Sequence, residues 1–403
     1  MKIVLVNKFW YPRGGAEKVA ILTKELLEQA GHRVEIFGMR HPDNLLENKY
    51  FTDFIDYHSA GFWQKIKFGL RAIYNRQAAN NFGKLLNDFQ PDVVHFHNIY
   101  HQLSCSIIGV AKKMGIKTVM TLHDYKLISP NYNLYHHGQV AQECMGGKYY
   151  RCILHNCMES RAESWLATIE AYFVDLMGYK KMILKYLSPS EFLRTKFIES
   201  GFDNKHIEVL PNPLRSSEFI STESVGDYVG YIGRLAPEKG VEYLLQAAEL
   251  LPKINFKIAG SGPSQKHLLE LIEKNKITNV ELVGQKNGQD LQNFILNSRL
   301  LVVPSVWHEN APMSVVEAKA HSKVVIAFAM GGISEILPQE LLVKPKDVSE
   351  LAQKIKIWFE ADAEKLSQMG RQLQSEAKQS NSPEVYLDRL LKVYKDEKQT
   401  NIL

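Results

Sequence analysis

Leu300-Leu301-Val302-Val303-Pro304-Ser305-Val306-Trp307-His308-Glu309-Asn310-Ala311-Pro312-Met313-Ser314-Val315-Val316-Glu317 decides how this chain folds. The apolar run 300–304 reads as a buried strand, residues 314–321 as a helix, and Lys323-Val324-Val325-Ile326-Ala327 as the next strand. Strand, loop, helix, strand is the unit of an α/β sheet. Glu309 then lies at the carboxyl edge of a strand and Glu317 one turn into a helix. The helix amino terminus presents backbone N–H groups and the positive end of a dipole, which suits a phosphate. Carboxylates accept hydrogen bonds from hydroxyls, so phosphate plus sugar hydroxyls points to a sugar nucleotide. The plain alternative is a glutamate favoured by the helix dipole and another on a surface loop.

The same alternation runs through the rest of the second half. Tyr228-Val229-Gly230-Tyr231-Ile232-Gly233-Arg234 is a strand, and the loop Leu235 to Gly240 leads into a helix over 241–251. Arg234 and Lys239 flank that loop, where two cations can neutralise a diphosphate. Residues 255–263 are a strand with a glycine turn; a helix over 264–275 and a strand over 280–284 follow. Gly331-Gly332 opens a further helix. In a doubly wound sheet such strand ends share one crevice.

The first half repeats the pattern. Lys2 to Val6 is a strand, Gly14-Gly15 lies in the loop after it, and Lys18 to Ala30 is a helix. Strands follow at 33–37, 92–97 and 117–122, the last ending at His123-Asp124, where such sheets bind ligands. A helix over 161–185 carries Trp165, Ile169, Phe173, Leu176 and Met177 on one side. The polar segment 214–226 marks a domain boundary. No G-x-G-x-x-G is present, which argues against a dinucleotide oxidoreductase.

The composition, 45% hydrophobic and 23% charged over 403 residues, is that of a globular protein of two domains or one very large one. The net charge of +5 is too mild to argue for nucleic acid. No apolar run approaches the ~20 residues of a transmembrane helix, and the amino terminus reads as a strand, so the expected location is the cytoplasm. Residues 57–87 are basic and contain no acid; Trp63, Ile66, Leu70 and Ile73 share a helical face. A helix over 63–76 therefore reads either as peripheral contact with the inner membrane face or as an ordinary helix with its stripe on the core. The insertion 126–160 holds Cys144, Cys152, Cys157 and His155, a Cys/His clustering that zinc would explain, but its spacing fits no paired C-x-x-C pattern, so no metal ligand is assigned.

The ordered set of motifs resembles the retaining glycosyltransferases of family four. It comprises Gly14-Gly15-Ala16-Glu17, His95-Phe96-His97, Thr121-Leu122-His123-Asp124, Leu210-Pro211-Asn212-Pro213, Gly233-Arg234, Glu238-Lys239-Gly240, Gly260-Ser261-Gly262, Val283-Gly284, the E-x7-E pair Glu309/Glu317, and Gly331-Gly332. The resemblance implies the GT-B fold, two Rossmann-like doubly wound α/β domains facing across a cleft. Residues 1–213 would bind the acceptor, residues 214–382 the nucleotide sugar, and 383–403 would cross back to the first domain. Arg234 and Lys239 would hold the donor diphosphate, Glu317 the ribose, and Glu309 the donor sugar. Gly233 would lie by the phosphates, Val283 and Gly284 by the base. Asn310, Ala311, Pro312, Met313 and Ser314 would offer backbone groups to sugar or phosphate. Gly14 and Gly15 would approach the phosphate from the facing domain, and His123 would face the sugar. The family's usual Gly-Phe-Gly or Gly-Phe-Pro is Asn310-Ala311-Pro312 here, a departure that bears on sugar choice. One subgroup has a cysteine-richer insertion, and Ser129 and Ala141 stand where two of those cysteines are expected.

The implied reaction is retaining transfer from a UDP- or GDP-sugar to a saccharide or lipid-linked acceptor of surface-polysaccharide synthesis. No cofactor or divalent metal is required, because protein cations neutralise the phosphates. The rival readings are a sugar-nucleotide epimerase, which acts on the donor alone, and a non-catalytic binding protein, which would have no need of Arg234, Lys239 and Glu317.

Overall fold

In Lys2-Ile3-Val4-Leu5-Val6 every residue after Lys2 is fully buried. A strand apolar on both faces belongs inside a parallel sheet covered on both sides. The computed structural model, which describes residues 1–54, 69–221 and 226–396, places it there. This strand, β1 (Lys2–Val6), lies between β2 (Arg33–Phe37) and β3 (Val93–Phe96). With β4 (Lys117–Thr121), β7 (Lys185–Ser188) and β8 (Ile207–Val209) the order is β2-β1-β3-β4-β7-β8, every pair parallel. A small hairpin, β5 (Tyr135–His136) and β6 (Gln139–Val140), lies in the insertion.

The second sheet consists of β9 (Tyr228–Ile232), β10 (Asn255–Ala259), β11 (Val280–Gly284), β12 (Ser298–Val303), β13 (Val325–Phe328) and β14 (Leu342–Val343). Its order is β11-β10-β9-β12-β13-β14, again parallel. In both sheets the chain builds outward from its first strand, then steps to that strand's other side. The loops after β1 and β3, and after β9 and β12, therefore leave their sheets side by side. Such switch points are where doubly wound sheets bind ligands.

The chain divides into one unit of Met1–His137, Ala141–Pro213 and Tyr386–Leu403, and a second of Gly138–Val140 and Leu214–Val385. The two units are the two Rossmann-like domains that the fold class requires. Helix α1 (Gly15–Gln29) packs Leu22, Leu26 and Leu27 on the first sheet. The last described helix, α7 (Pro383–Lys395), adds Tyr386, Leu390, Val393 and Tyr394 to that same core. The Tyr386 hydroxyl lies 2.9 Å from Thr23 Oγ1, and Lys117 Nζ donates to Tyr394 O at 2.9 Å.

Two sequence expectations change. Of the basic segment 63–76, residues 63–68 lie outside the described residues. The described helical stretch 69–73 stops short, and Asn75 caps a new helix, α2 (Arg76–Phe89), by accepting from Ala78 N at 3.0 Å. The helix expected over 161–185 ends earlier, as α3 (Arg161–Leu176), and its apolar side faces outward. Trp165 is 56% exposed, Ile169 50% and Leu176 84%. The cause is Glu170, which turns inward to a buried ion pair with Lys126 at 2.8 Å and so fixes the rotation of the helix. Ala167, Thr168, Ala171 and Val174 share its face and are buried. Among the described residues no helix is long and apolar enough to cross a membrane.

Candidate functional site

In the second unit the site grows from the switch point between β9 and β12. After β9 the chain passes through Gly233-Arg234 and a single 3-10 turn, Pro237–Lys239, into helix α4 (Val241–Glu249). The residue joining turn to helix is Gly240, with φ +64°. A Cβ there would stand 2.1 Å from Pro304 O, so only glycine lets this loop pack on the neighbouring one. Val306 N donates to Glu238 O at 2.9 Å and ties the two loops together.

That packing brings Lys239 to Glu309. Lys239 Nζ lies 2.6 Å from Glu309 Oε1, and Ser305 Oγ donates to the same oxygen at 2.7 Å. The ammonium also sits 5.0 Å from the centre of the Trp307 ring. Glu309 is 4% exposed. Arg234 forms an ion pair with the carboxylate of Glu238, which is buried. Tyr231 donates its hydroxyl to Arg234 O at 3.0 Å; burial, with Glu309 and Glu238 adding to it, pushes that hydroxyl well above its ordinary range.

Gly331, with φ +61°, bridges to Glu309, and Gly332 N donates to Glu309 O at 2.7 Å. Helix α5 (Met313–Ala320) begins at Pro312, and no side chain caps its amino end. The backbone donors at the very start of such a helix have no intrahelical partner. Glu317 is buried one turn in. The helix is braced on α6 (Ala363–Asn381): Gln374 Nε2 donates to Ala320 O at 2.7 Å, and Lys319 Nζ lies 2.9 Å from Glu376. Asn310 and Pro312 are buried, and Ala311, Met313 and Ser314 half-buried. Val283 and Gly284 close β11, where Gly260 N donates to Gly284 O at 3.0 Å.

In the first unit the switch point holds a different chemistry. Gly14 precedes α1, whose amino end also lacks a side-chain cap, and Gly15 is its first residue. His123 follows β4, and its Nε2 lies 3.0 Å from His97 Nδ1, the rings stacked at 21°. Burial lowers both imidazoles, His123 to about 4, so the pair is neutral at pH 7 and shares one N–H. His97 Nε2 is buried with no hydrogen-bond partner among the described residues. His95 stacks on His97 but is spent structurally, between Tyr394 Oη at 2.6 Å and Thr121 Oγ1 at 2.8 Å. Lys8, whose pKa burial lowers, adds positive charge near Glu17 and Asp124.

The structure thus joins Lys239 to Glu309 and Gly331, and keeps Arg234 on Glu238. Gly14, Gly15 and His123 belong to the other unit. Sequence reasoning did not single out Ser305, Trp307, Lys8 or a role for His97. The available signal was position: each lies within a few residues of a strand's carboxyl end.

Residues 13–217 match the family described as Glycosyltransferase Family 4, and residues 218–376 match Glycosyl transferases group 1. The chain is a family-four glycosyltransferase. It is 30% identical to an uncharacterized glycosyltransferase of Methanocaldococcus jannaschii over 358 residues, 87% of each chain. It is 29% identical over 353 residues to an uncharacterized 42.6 kDa protein of the cps region of Klebsiella pneumoniae, covering 83% of this chain and 87% of that one. Among solved structures, sucrose-phosphate synthase of Thermosynechococcus elongatus superposes with a TM-score of 0.72 at 18% identity, over 98% of both chains. Anabaena HepE in complex with UDP and glucose superposes at 0.66 and 18% identity, over 98% of this glycosyltransferase and 100% of HepE. These likenesses confirm the two-domain α/β fold.

Proposed function

We propose that this glycosyltransferase moves a hexose from a UDP-sugar, with retention, to a saccharide or lipid-linked acceptor of surface polysaccharide. The observation that carries the donor half is the Lys239–Glu309 pair at the β9/β12 switch point. A cation beside a buried carboxylate matches a ligand that is phosphate on one side and hydroxyl-rich on the other. HepE, solved with UDP-glucose, supports UDP over GDP. The cps-region relative supports polysaccharide.

In this reading Arg234 and Lys239 take the diphosphate as the anomeric C–O bond breaks and charge gathers on the leaving phosphate. The uncapped start of α5, at Ala311 to Ser314, adds backbone donors to it. Glu309 orients the sugar, Glu317 holds the ribose, and Gly233, Val283 and Gly284 line the nucleotide. In the first unit, Gly14, Gly15 and the neutral His123 are the candidates at its own switch point. The leaving phosphate itself accepts the acceptor's proton, so no protein nucleophile and no divalent cation enters. Peripheral membrane contact extends the reading: the outward face of α3 sets Trp165, Ile169, Tyr172 and Leu176 in solvent, and the sequence ahead of α2 is basic.

The decisive experiment is turnover of a panel of UDP-, GDP- and ADP-sugars with NMR assignment of the product anomer. A retained anomer from a UDP-sugar, at a rate unchanged by added Mg²⁺ or Mn²⁺, is expected. An inverted product, or donor rearrangement without an acceptor, overturns it. Sedimentation with anionic vesicles tests the membrane arm, and no binding at low salt refutes it.

A further inference from the structure

Three of the four cysteines converge in the insertion between β4 and α3, although their spacing carries no metal signature. Cys144, Cys152 and Cys157 are separated by seven and four residues, yet their Sγ atoms all lie within 4.8 Å of one another. They are 3%, 0% and 1% exposed, and the apolar cluster around them is the three sulfurs with Met158 packed against it. Thiols this buried usually pack as small hydrophobic groups among larger ones. Here they pack on each other, the Cys144 and Cys157 sulfurs 3.2 Å apart.

A second triad overlaps the first. A ring nitrogen of His136, a carboxylate oxygen of Glu143 and Cys157 Sγ also lie within 4.8 Å of one another. His136 is 5% exposed, and its Nδ1 is buried with no hydrogen-bond partner among the described residues. Its Nε2 lies 2.9 Å from Glu143 Oε1. An imidazole with one nitrogen on a carboxylate and the other available to a metal is the usual outer arrangement of zinc ligands.

We infer that Cys144, Cys152, Cys157 and His136 form a tetrahedral Zn²⁺ site, with Glu143 orienting the histidine. Zinc–sulfur bonds of ~2.3 Å put tetrahedral ligand atoms ~3.8 Å apart, inside the 4.8 Å span of the three sulfurs, and His136 joins them through Cys157, the member the two triads share. Three thiolates and an imidazole select zinc over magnesium or calcium. Binding releases the thiol protons to solvent and ties hairpin β5–β6 to the turn Arg151–Leu154. The site also steadies the loop that leaves His123. Asn131 Nδ2 donates to Cys157 O at 2.6 Å, and Tyr125 N donates to Tyr132 O at 3.1 Å.

The test is elemental analysis of the full chain, made in zinc-supplemented medium and purified without chelator or metal-affinity resin. The expected content is about one Zn²⁺ per chain. Cys105→Ser, which changes the buried cysteine outside the cluster, keeps it; Cys152→Ser loses it. Because Cys152→Ser can fail to fold, unsubstituted protein stripped of metal is also titrated with Co²⁺. A thiolate charge-transfer band with tetrahedral d–d bands is expected. Glu143→Gln weakens binding roughly 10–100-fold. Metal-free protein with no Co²⁺ bands, a disulfide within the cluster on intact mass after alkylation, or full zinc in Cys152→Ser overturns the site. An unchanged Co²⁺ spectrum in His136→Ala overturns the fourth ligand.

Discussion

Lys239→Met removes one charge and keeps the aliphatic stem, so it isolates what the ammonium does. In the folded protein Nζ lies 2.6 Å from a carboxylate whose side chain is 6% exposed, while its own side chain is 21% exposed. Breaking a fully buried pair costs ~3–5 kcal/mol, because the remaining charge is stranded. Solvent at Lys239 and the Ser305 hydroxyl on Glu309 reduce this to about 2 kcal/mol, or a Tm loss of about 4–8 °C for a unit of this size. Donor affinity loses one charge-assisted hydrogen bond to phosphate, ~1.5–3 kcal/mol, so Kd rises roughly 10–150-fold. Turnover falls further, by ~10²–10³, because the ammonium matters most as charge develops on the departing phosphate. The assay is nucleoside-diphosphate release with saturating acceptor, beside thermal unfolding, for Lys239→Met, Glu309→Gln and the double variant. Glu309→Gln neutralises the stranded carboxylate, so the double variant regains stability while turnover stays lost. If Lys239→Met keeps kcat/KM within about threefold, or the double variant restores turnover, Lys239 only holds Glu309 in place and the donor assignment fails.

Three further outcomes follow from the same structure. Burial holds His95 at about 3 and His123 at about 4, against about 6.5 in the unfolded chain. Both folded values are depressed, so their stabilisation is complete above pH 6.5 and is lost as pH falls toward 4 and then 3. Each contributes at most ~1.4 kcal/mol per pH unit in that window, and urea unfolding at pH 7.5, 6 and 5 should show a steep fall. A flat profile contradicts the buried histidine stack. Gly331→Ala forces a side chain at φ +61° and sets its Cβ 2.4 Å from Glu309 O. It should destabilise by ~2 kcal/mol or more and abolish donor binding, read by calorimetry with UDP; intact binding would mean that Gly331 does not position Glu309. Leu390→Ala, at a fully buried position of α7, should cost ~2–5 kcal/mol in the first unit while UDP binding persists at pre-transition temperatures. A change below about 1 kcal/mol would refute the docking of that helix in the core.

Most of the α/β pattern was legible in the residues. Continuous apolar runs such as Ile3 to Val6 and Leu300 to Val303 announce strands buried on both faces, and 3.6-residue periodicity announces the helices between them. Glycine, proline and charge collect where strands end, so Arg234, Lys239, Glu309, Glu317 and His123 could be picked out as candidates. What was not legible is instructive. The outward turn of α3 depended on a long-range partner, Lys126, that pulls Glu170 inside. The break before α2 depended on Asn75, which also donates to Gln102 O at 2.7 Å.

What the chain determined by itself, then, was the local period: which segments are strands and helices, and which residues sit at their ends. Only tertiary structure decided the order of the strands, and with it which ends meet. β9 pairs with both β10 and β12, and that one long-range choice brings the loop of Lys239 onto the loop of Glu309. The same holds for Cys144, Cys152, Cys157 and His136, whose spacing says nothing until the insertion folds. Periodicity is fixed by neighbours a few residues apart. Strand order and side-chain convergence are fixed by burial between segments far apart in the chain.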